Sequence, residues 1–138
     1  GQKYWRNYFK KIKDVLKKDG LAGIQVILIN NKSYQRYSKS VDFIQKYVFP
    51  GGMLPSQEKL NENYVDAGLV EVNSHSFGKS YAKTLTIWHK EFLNSLSAIK
   101  KLGFDIKLER IFKYYFSYCK AGFNSERIDV AQKIIKLN

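Results

Sequence analysis

The sequence predicts an α/β architecture, helices packed on a parallel or mixed sheet, and three observations carry that expectation. Residues 21–29, LAGIQVILI, form a nearly unbroken apolar run of strand length, rich in Ile, with Gln25 as its only strongly polar member. A strand of this kind is expected where both faces of a sheet are covered. Ahead of it stands an amphipathic helical stretch closed by Asp19-Gly20, so helix, glycine turn and buried strand follow one another as half of an α/β unit. Further on, RIDVAQKIIKL at 127–137 alternates as a strand, preceded by two long stretches of helical periodicity.

Taken in order, residues 3–18 carry Trp5, Phe9, Ile12 and Leu16 at three- and four-residue spacing, with Lys10, Lys13 and Lys17 on another side, which predicts a helix. After the 21–29 strand, a polar turn around Asn30-Asn31-Lys32-Ser33 leads into a short helical stretch near 40–48. The run FIQKYVFPGGMLPS, 43–56, holds both prolines, the only methionine and the Gly51-Gly52 pair. Pro50 fixes φ and the glycines permit a tight reversal, a bend that would turn Phe49 and Leu54 back into one apolar pocket. Ser56 caps a helix through Ala67, with Glu58 and Glu62 within its first two turns. AGLVEVNSHSF then reads as a helix stop followed by a strand of only rough alternation. A long helix is predicted over 78–102, with Tyr81, Leu85, Trp88, Phe92, Leu96 and Ile99 on one stripe, and another over 105–121, where Ile111, Phe112, Tyr115, Phe116 and Cys119 form a broad aromatic face. No internal repeat is visible.

At 138 residues the chain reads as one domain. It has no run of eighteen apolar residues and no signal-peptide pattern, so cytoplasmic residence is the expectation. The single cysteine excludes an internal disulfide, and with only His75 and His89 beside it no metal-ligand spacing arises, so no metal is expected. His89 reads as a surface residue and His75 as a strand end. Glu126 and Asp129 flank Arg127 as a local ion pair. The net charge of +12 attracts phosphates, whether on nucleic acid or on anionic lipid, and charge alone does not choose between them. A nucleic-acid-binding module is disfavoured because most aromatic residues fall on helical faces that a core would claim. There is no G-x-G-x-x-G loop, no G-x-S-x-G elbow, no Walker loop and no Cys/His pair with an orienting carboxylate.

The succession KYWRNYFKKIKDVLKKDGLAGIQVILI, DFIQKYVFPGGMLPS, FGKSYAKTLTIWHKEF and YYFSYCKAGFNSERIDVAQ resembles the C-terminal part of the cyclopropane-fatty-acyl-phospholipid synthases and the related mycolic acid cyclopropane synthases. The resemblance runs in order over nearly the whole chain. It implies a Rossmann-like class I S-adenosylmethionine-dependent methyltransferase fold, a mixed sheet with an inserted helical lipid-site region, of which residues 1–138 form a single C-terminal fragment. It further implies that the S-adenosylmethionine site lies upstream of Gly1, together with a cysteine and a glutamate that bind bicarbonate. No cofactor-binding residue is then expected in this chain, and the fragment alone would be inactive.

Carried over by position, Tyr81 matches a tyrosine that helps hold the bicarbonate ion, and Ile27 a residue whose backbone binds it. Gln25 stands where the best-known synthases have a histidine. Glutamine can donate through its NH2 but does not titrate near neutral pH, which leaves a methyl-branched or methylene product open, and small-molecule N-methyltransferases share FPGGMLPS-like motifs. Phe49, Leu54, Leu85, Tyr115, Cys119 and Phe123 match the lining of the acyl channel; on residue type alone they also read as core. Cys119 has no adjacent activating base, which suits a wall residue. The implied partners are phospholipid acyl chains at an anionic membrane surface, met peripherally on the inner face without a transmembrane segment; the sequence leaves open both a compact monomer and a homodimer that swaps elements to cover the sheet edge left by the missing strands.

Overall fold

The computed structural model describes every residue, Gly1–Asn138. A 3-10 turn leads into α1 (Trp5–Val15), then β1 (Leu21–Ile29), α2 (Asn31–Tyr37), α3 (Phe43–Tyr47), α4 (Gln57–Ala67), β2 (Leu69–Ser76), α5 (Gly78–Asn94), α6 (Leu96–Lys101), α7 (Ile106–Asn124) and β3 (Ile128–Leu137). The three strands form one sheet in the order β1-β3-β2. Both pairings are antiparallel, so β1 and β2 run in the same direction and the last strand fills the gap between them in reverse. The parallel relationship expected of a mixed sheet is therefore present in direction without any parallel ladder.

Two layers of helix sit on this sheet. On one face, Leu28 of β1 and Ala131 and Ile135 of β3 are buried with Phe9 of α1 and with Leu60, Tyr64 and Ala67 of α4. On the other, Val130 of β3 packs with Ala82 and Leu85 of α5 and Phe116 and Phe123 of α7, and Ile27 of β1 lies against them. A third cluster, Ile29 with Tyr34 and Tyr37 of α2, closes the end of β1. The expectation that β1 is covered along its length on both faces does not hold. Within residues 1–138, Leu21, Gly23 and Gln25 are exposed and only Leu28 and Ile29 are fully buried, the helices of this chain roofing the second face of β1 only near its end.

Local chemistry explains most boundaries. Ser56 Oγ accepts from Lys59 N–H at the start of α4, and Gly68, with φ 68°, ends that helix in the left-handed conformation that glycine takes without penalty. Asp42 and Gln45 form a reciprocal capping box at α3. α2 was expected to be a polar turn; Asn30, whose side chain accepts from Ser33 N–H at 2.9 Å, caps it into a helix. The helix expected over 78–102 is divided at Ser95, after Asn94, two residues of weak helical preference.

Candidate functional site

The site is built where α5 leaves the sheet. Asp129, the second residue of β3, accepts hydrogen bonds on Oδ1 from the N–H groups of Gly78 at 2.9 Å and Val130 at 2.8 Å, and Phe77 N–H donates to Val130 O at 2.9 Å. A side chain at Gly78 would collide with Asp129 Oδ1 and press on Phe123, so glycine is required for this close approach. The first turn of α5 is thereby hung from β3. Within it, Tyr81 lies with its ring centroid 5.2 Å from that of Phe123 and 6.2 Å from that of Trp88.

Around this anchor the structure assembles Ile27 from β1, Tyr81 and Leu85 from α5, and Tyr115, Cys119 and Phe123 from α7 into one apolar cluster. Phe92, Phe112 and Phe116 extend it, with Phe92 5.6 Å from each of the other two rings. These three belong to the aromatic stripes read from the sequence, but nothing there marked them as site residues. His89, expected at the surface, is half-buried and stacks on Phe116 with centroids 5.5 Å apart. Burial pushes the Tyr115 hydroxyl up to about 12, with Cys119 and Tyr81 adding to the shift. Burial, helped by Asp42, pushes the Cys119 thiol up to about 11. Both stay protonated near neutral pH, so the cluster offers an uncharged lining and no thiolate.

Gln25 lies two residues before Ile27 on the same face of β1 but outside the apolar cluster. Its Oε1 accepts from Gln132 Nε2 at 3.2 Å, which leaves its NH2 to donate elsewhere. Gln132 also lies opposite His75 in the ladder, so a polar row Gln25–Gln132–His75 crosses the sheet beside the cluster. Ile29 N–H donates to Pro55 O and not to β3; by strand alternation the peptide groups of Ile27 and Gln25 face that same outer edge.

Phe49 and Leu54 are not turned into one pocket. Phe49 is 57% exposed, and its ring centroid is 6.5 Å from that of Tyr115, at the rim of the cluster. Leu54 packs instead with Ile29, Tyr34 and Tyr37, and its N–H donates to Tyr37 Oη at 3.1 Å. The reversal between them, closed by Gly52 N–H to Phe49 O and carried by Gly51 at φ 79°, parts the two side chains. Glu126 pairs with Lys79 at 2.8 Å and Asp129 with backbone, so neither forms the expected pair with Arg127.

A cleft of about 720 Å³ opens at the ends of β1 and β2, lined among others by Asn30, His75, Phe77, Lys79, Glu126 and Asp129. It meets the apolar cluster at Phe123, though Tyr81, Gln25 and Ile27 do not line it. Strand ends of this kind are where ligands sit on α/β sheets. No helix is long and apolar enough to cross a membrane.

Against known proteins, the family described as mycolic acid cyclopropane synthetase matches residues 1–133. Tuberculostearic acid methyltransferase UfaA1 of Mycobacterium tuberculosis is 32% identical over 133 residues, covering 96% of this chain and 31% of that protein. The cyclopropane-fatty-acyl-phospholipid synthase of Escherichia coli K12 is 28% identical over 135 residues, covering 97% of this chain and 34% of its own. Among solved structures, mycolic acid cyclopropane synthase CmaA1 complexed with SAH and CTAB superposes with a TM-score of 0.86 at 23% identity, over 98% of this chain and 50% of that one. The chain thus spans about a third of the length of these curated relatives, and its fold is that of the C-terminal portion of a class I methyltransferase.

Proposed function

The chain belongs to the mycolic acid cyclopropane synthetase family, and on that premise we propose that its protein is an S-adenosylmethionine-dependent methyltransferase. Its substrate is the double bond of unsaturated fatty acyl chains of phospholipids, and its product a cyclopropane fatty acid. The observation that carries this reading is the convergence of Ile27, Tyr81, Leu85, Tyr115, Cys119 and Phe123, from three separate elements, into one uncharged apolar cluster. S-adenosylmethionine supplies the electrophilic methyl group and is bound by residues outside this chain, which on its own is inactive.

The chain's own residues have two tasks. The apolar cluster receives the acyl chain and keeps water from the cation that forms when the double bond takes up the methyl carbon. Phe49, at the rim, borders its mouth. Tyr81 through its hydroxyl, Gln25 through its NH2 and Ile27 through its N–H would hold a bicarbonate ion, which would supply a proton acceptor there. The available NH2 of Gln25 and the outward-facing peptide of Ile27 fit an anion. Leu54 supports α2 from the neighbouring cluster. The enzyme works in the cytoplasm, peripherally on the membrane.

A second reading concerns the product. Gln25 does not titrate where histidine would, and a relative at 32% identity is named a methyltransferase and not a cyclopropane synthase; a methyl-branched lipid is the outcome if the final proton is not taken from the transferred methyl. One experiment addresses both. The full-length protein carrying this chain is given unsaturated phospholipid vesicles and methyl-labelled S-adenosylmethionine, and the lipids are identified by mass spectrometry. Cyclopropane lipid whose formation falls about 10²-fold in Tyr81→Phe supports the first reading. A methyl-branched product that shifts toward cyclopropane in Gln25→His supports the second, and no lipid product, with transfer to amines, would overturn both.

A further inference from the structure

The hairpin made by α5–α6 and α7 ends in a turn whose apolar side chains point outward. Leu102 is 76% exposed, Phe104 51% and Ile106 54%. Single exposed apolar residues are ordinary, but three large ones within five positions form a patch that calls for a partner. Gly103, at φ 90°, has no atom near the position of an added side chain, so the turn faces open space there within this chain.

The charges around it are net positive. Asp105 is engaged as the cap of α7, its Oδ1 accepting from Leu108 N–H at 3.0 Å. Glu109 is ion-paired with Lys113 at 2.6 Å and Lys100 at 3.2 Å. Lys101, Lys107 and Arg110 are exposed and belong to no ion pair. Free cations ringing an apolar tip are complementary to a surface with anionic phosphates outside and hydrocarbon beneath.

We propose that this turn docks the protein on an anionic phospholipid bilayer, with Leu102, Phe104 and Ile106 entering the interface and Lys101, Lys107 and Arg110 meeting headgroup phosphates. The proposal rests on the lipid-methylation reading and adds to it the surface that meets the membrane: α7 and, through α6, α5, which enclose the apolar cluster, also carry the tip. An anionic bilayer is favoured over nucleic acid because the exposed groups at the tip are aliphatic residues and one phenyl ring at a chain reversal, not a row of stacking platforms along a groove.

The test is flotation of the full-length protein carrying this chain with vesicles of phosphatidylcholine, alone or mixed with phosphatidylglycerol. The wild type is expected to float with the mixed vesicles, less so at high salt. The triple variant Leu102→Ser, Phe104→Ser, Ile106→Ser is expected to partition at least about tenfold more weakly, and Lys101→Glu, Lys107→Glu, Arg110→Glu to lose the preference for phosphatidylglycerol. Equal flotation of all three proteins overturns the proposal, as does loss of self-association or oligonucleotide binding in the variants with flotation unchanged. Methyl transfer to detergent-dispersed unsaturated phospholipid, measured on the same preparations, separates the two readings. Transfer that persists in both variants while flotation falls supports the docking surface. Absence of transfer in every preparation, with the flotation differences intact, counts against lipid methylation and leaves the docking surface standing.

Discussion

Lys133, 2% exposed, holds its ammonium 3.1 Å from both carboxylate oxygens of Glu71 and 3.0 Å from the Ser74 hydroxyl. In the ladder Glu71 lies opposite Ile135 and Ser74 opposite Lys133, and the bulge between Glu71 and Asn73 is what brings both to the same face. Removing Glu71 leaves a buried, unpaired cation, so Glu71→Ala should cost about 3 kcal/mol in urea unfolding. Lys133→Met should cost less, because Glu71 keeps 21% of its side chain in water and can rehydrate. Equal costs would contradict this account.

Gly78→Ala forces a methyl group onto Asp129 Oδ1 and Phe123. The expected loss is about 1–3 kcal/mol, read as a lowered melting temperature. Asp129→Asn, which can still accept from Gly78 N–H, should be milder. If Gly78→Ala melts like the wild type, α5 is not held to β3 by this contact.

Lys113, then Lys100, holds the Glu109 carboxyl below the usual carboxylate range. A carboxylate with a lowered value adds stability above the pH where unfolded Glu titrates, about 4.3, and that contribution is lost as pH falls through the lowered value. Melting curves from neutral to acid pH should therefore show the wild type losing its advantage over Glu109→Gln below about pH 4.5. A constant gap between the two would exclude the ion pair as its source.

Cys119, its thiol pushed up to about 11, should react slowly. Against a free thiol near 8.5, fewer thiolates form at pH 8, partly offset by the greater nucleophilicity of each, so alkylation of the folded protein should be about tenfold or more slower than after unfolding. Equal rates would mean that the α5–α7 cluster is open to solvent.

Much of the element list was legible because apolar period alone defines it: Phe9 and Ile12 mark α1, LAGIQVILI marks β1, and the stripes through Leu85 and Phe116 mark α5 and α7. α2 leaves little apolar signal in the sequence, since Tyr34 and Tyr37 are its only buried residues in seven positions. The order of the strands could not be read, because nothing in the pattern of β3 says whether it lies at an edge or between its neighbours. The candidate site was partly legible through residue-by-residue resemblance, which named Tyr81, Leu85 and Phe123. Its support was not: Gly78 and Asp129 are 51 positions apart, and a long-range carboxylate cap has no local signature. The fates of Phe49 and Leu54 depend on which way a two-glycine reversal turns, a matter decided by the clusters on either side of it.

The central place of β3 also bears on how the protein is made. Gln25 and Gln132, neighbours across the sheet, are separated by 107 positions, so β1 and β2 leave the ribosome well before the strand that joins them. Until then each exposes an unpaired edge, and pairing over such distances is slow to begin. A nascent chain that has not yet reached Ile128 therefore carries β1 and β2 without the strand that joins them, which makes the interval before β3 emerges the one in which chaperones matter most for this sheet.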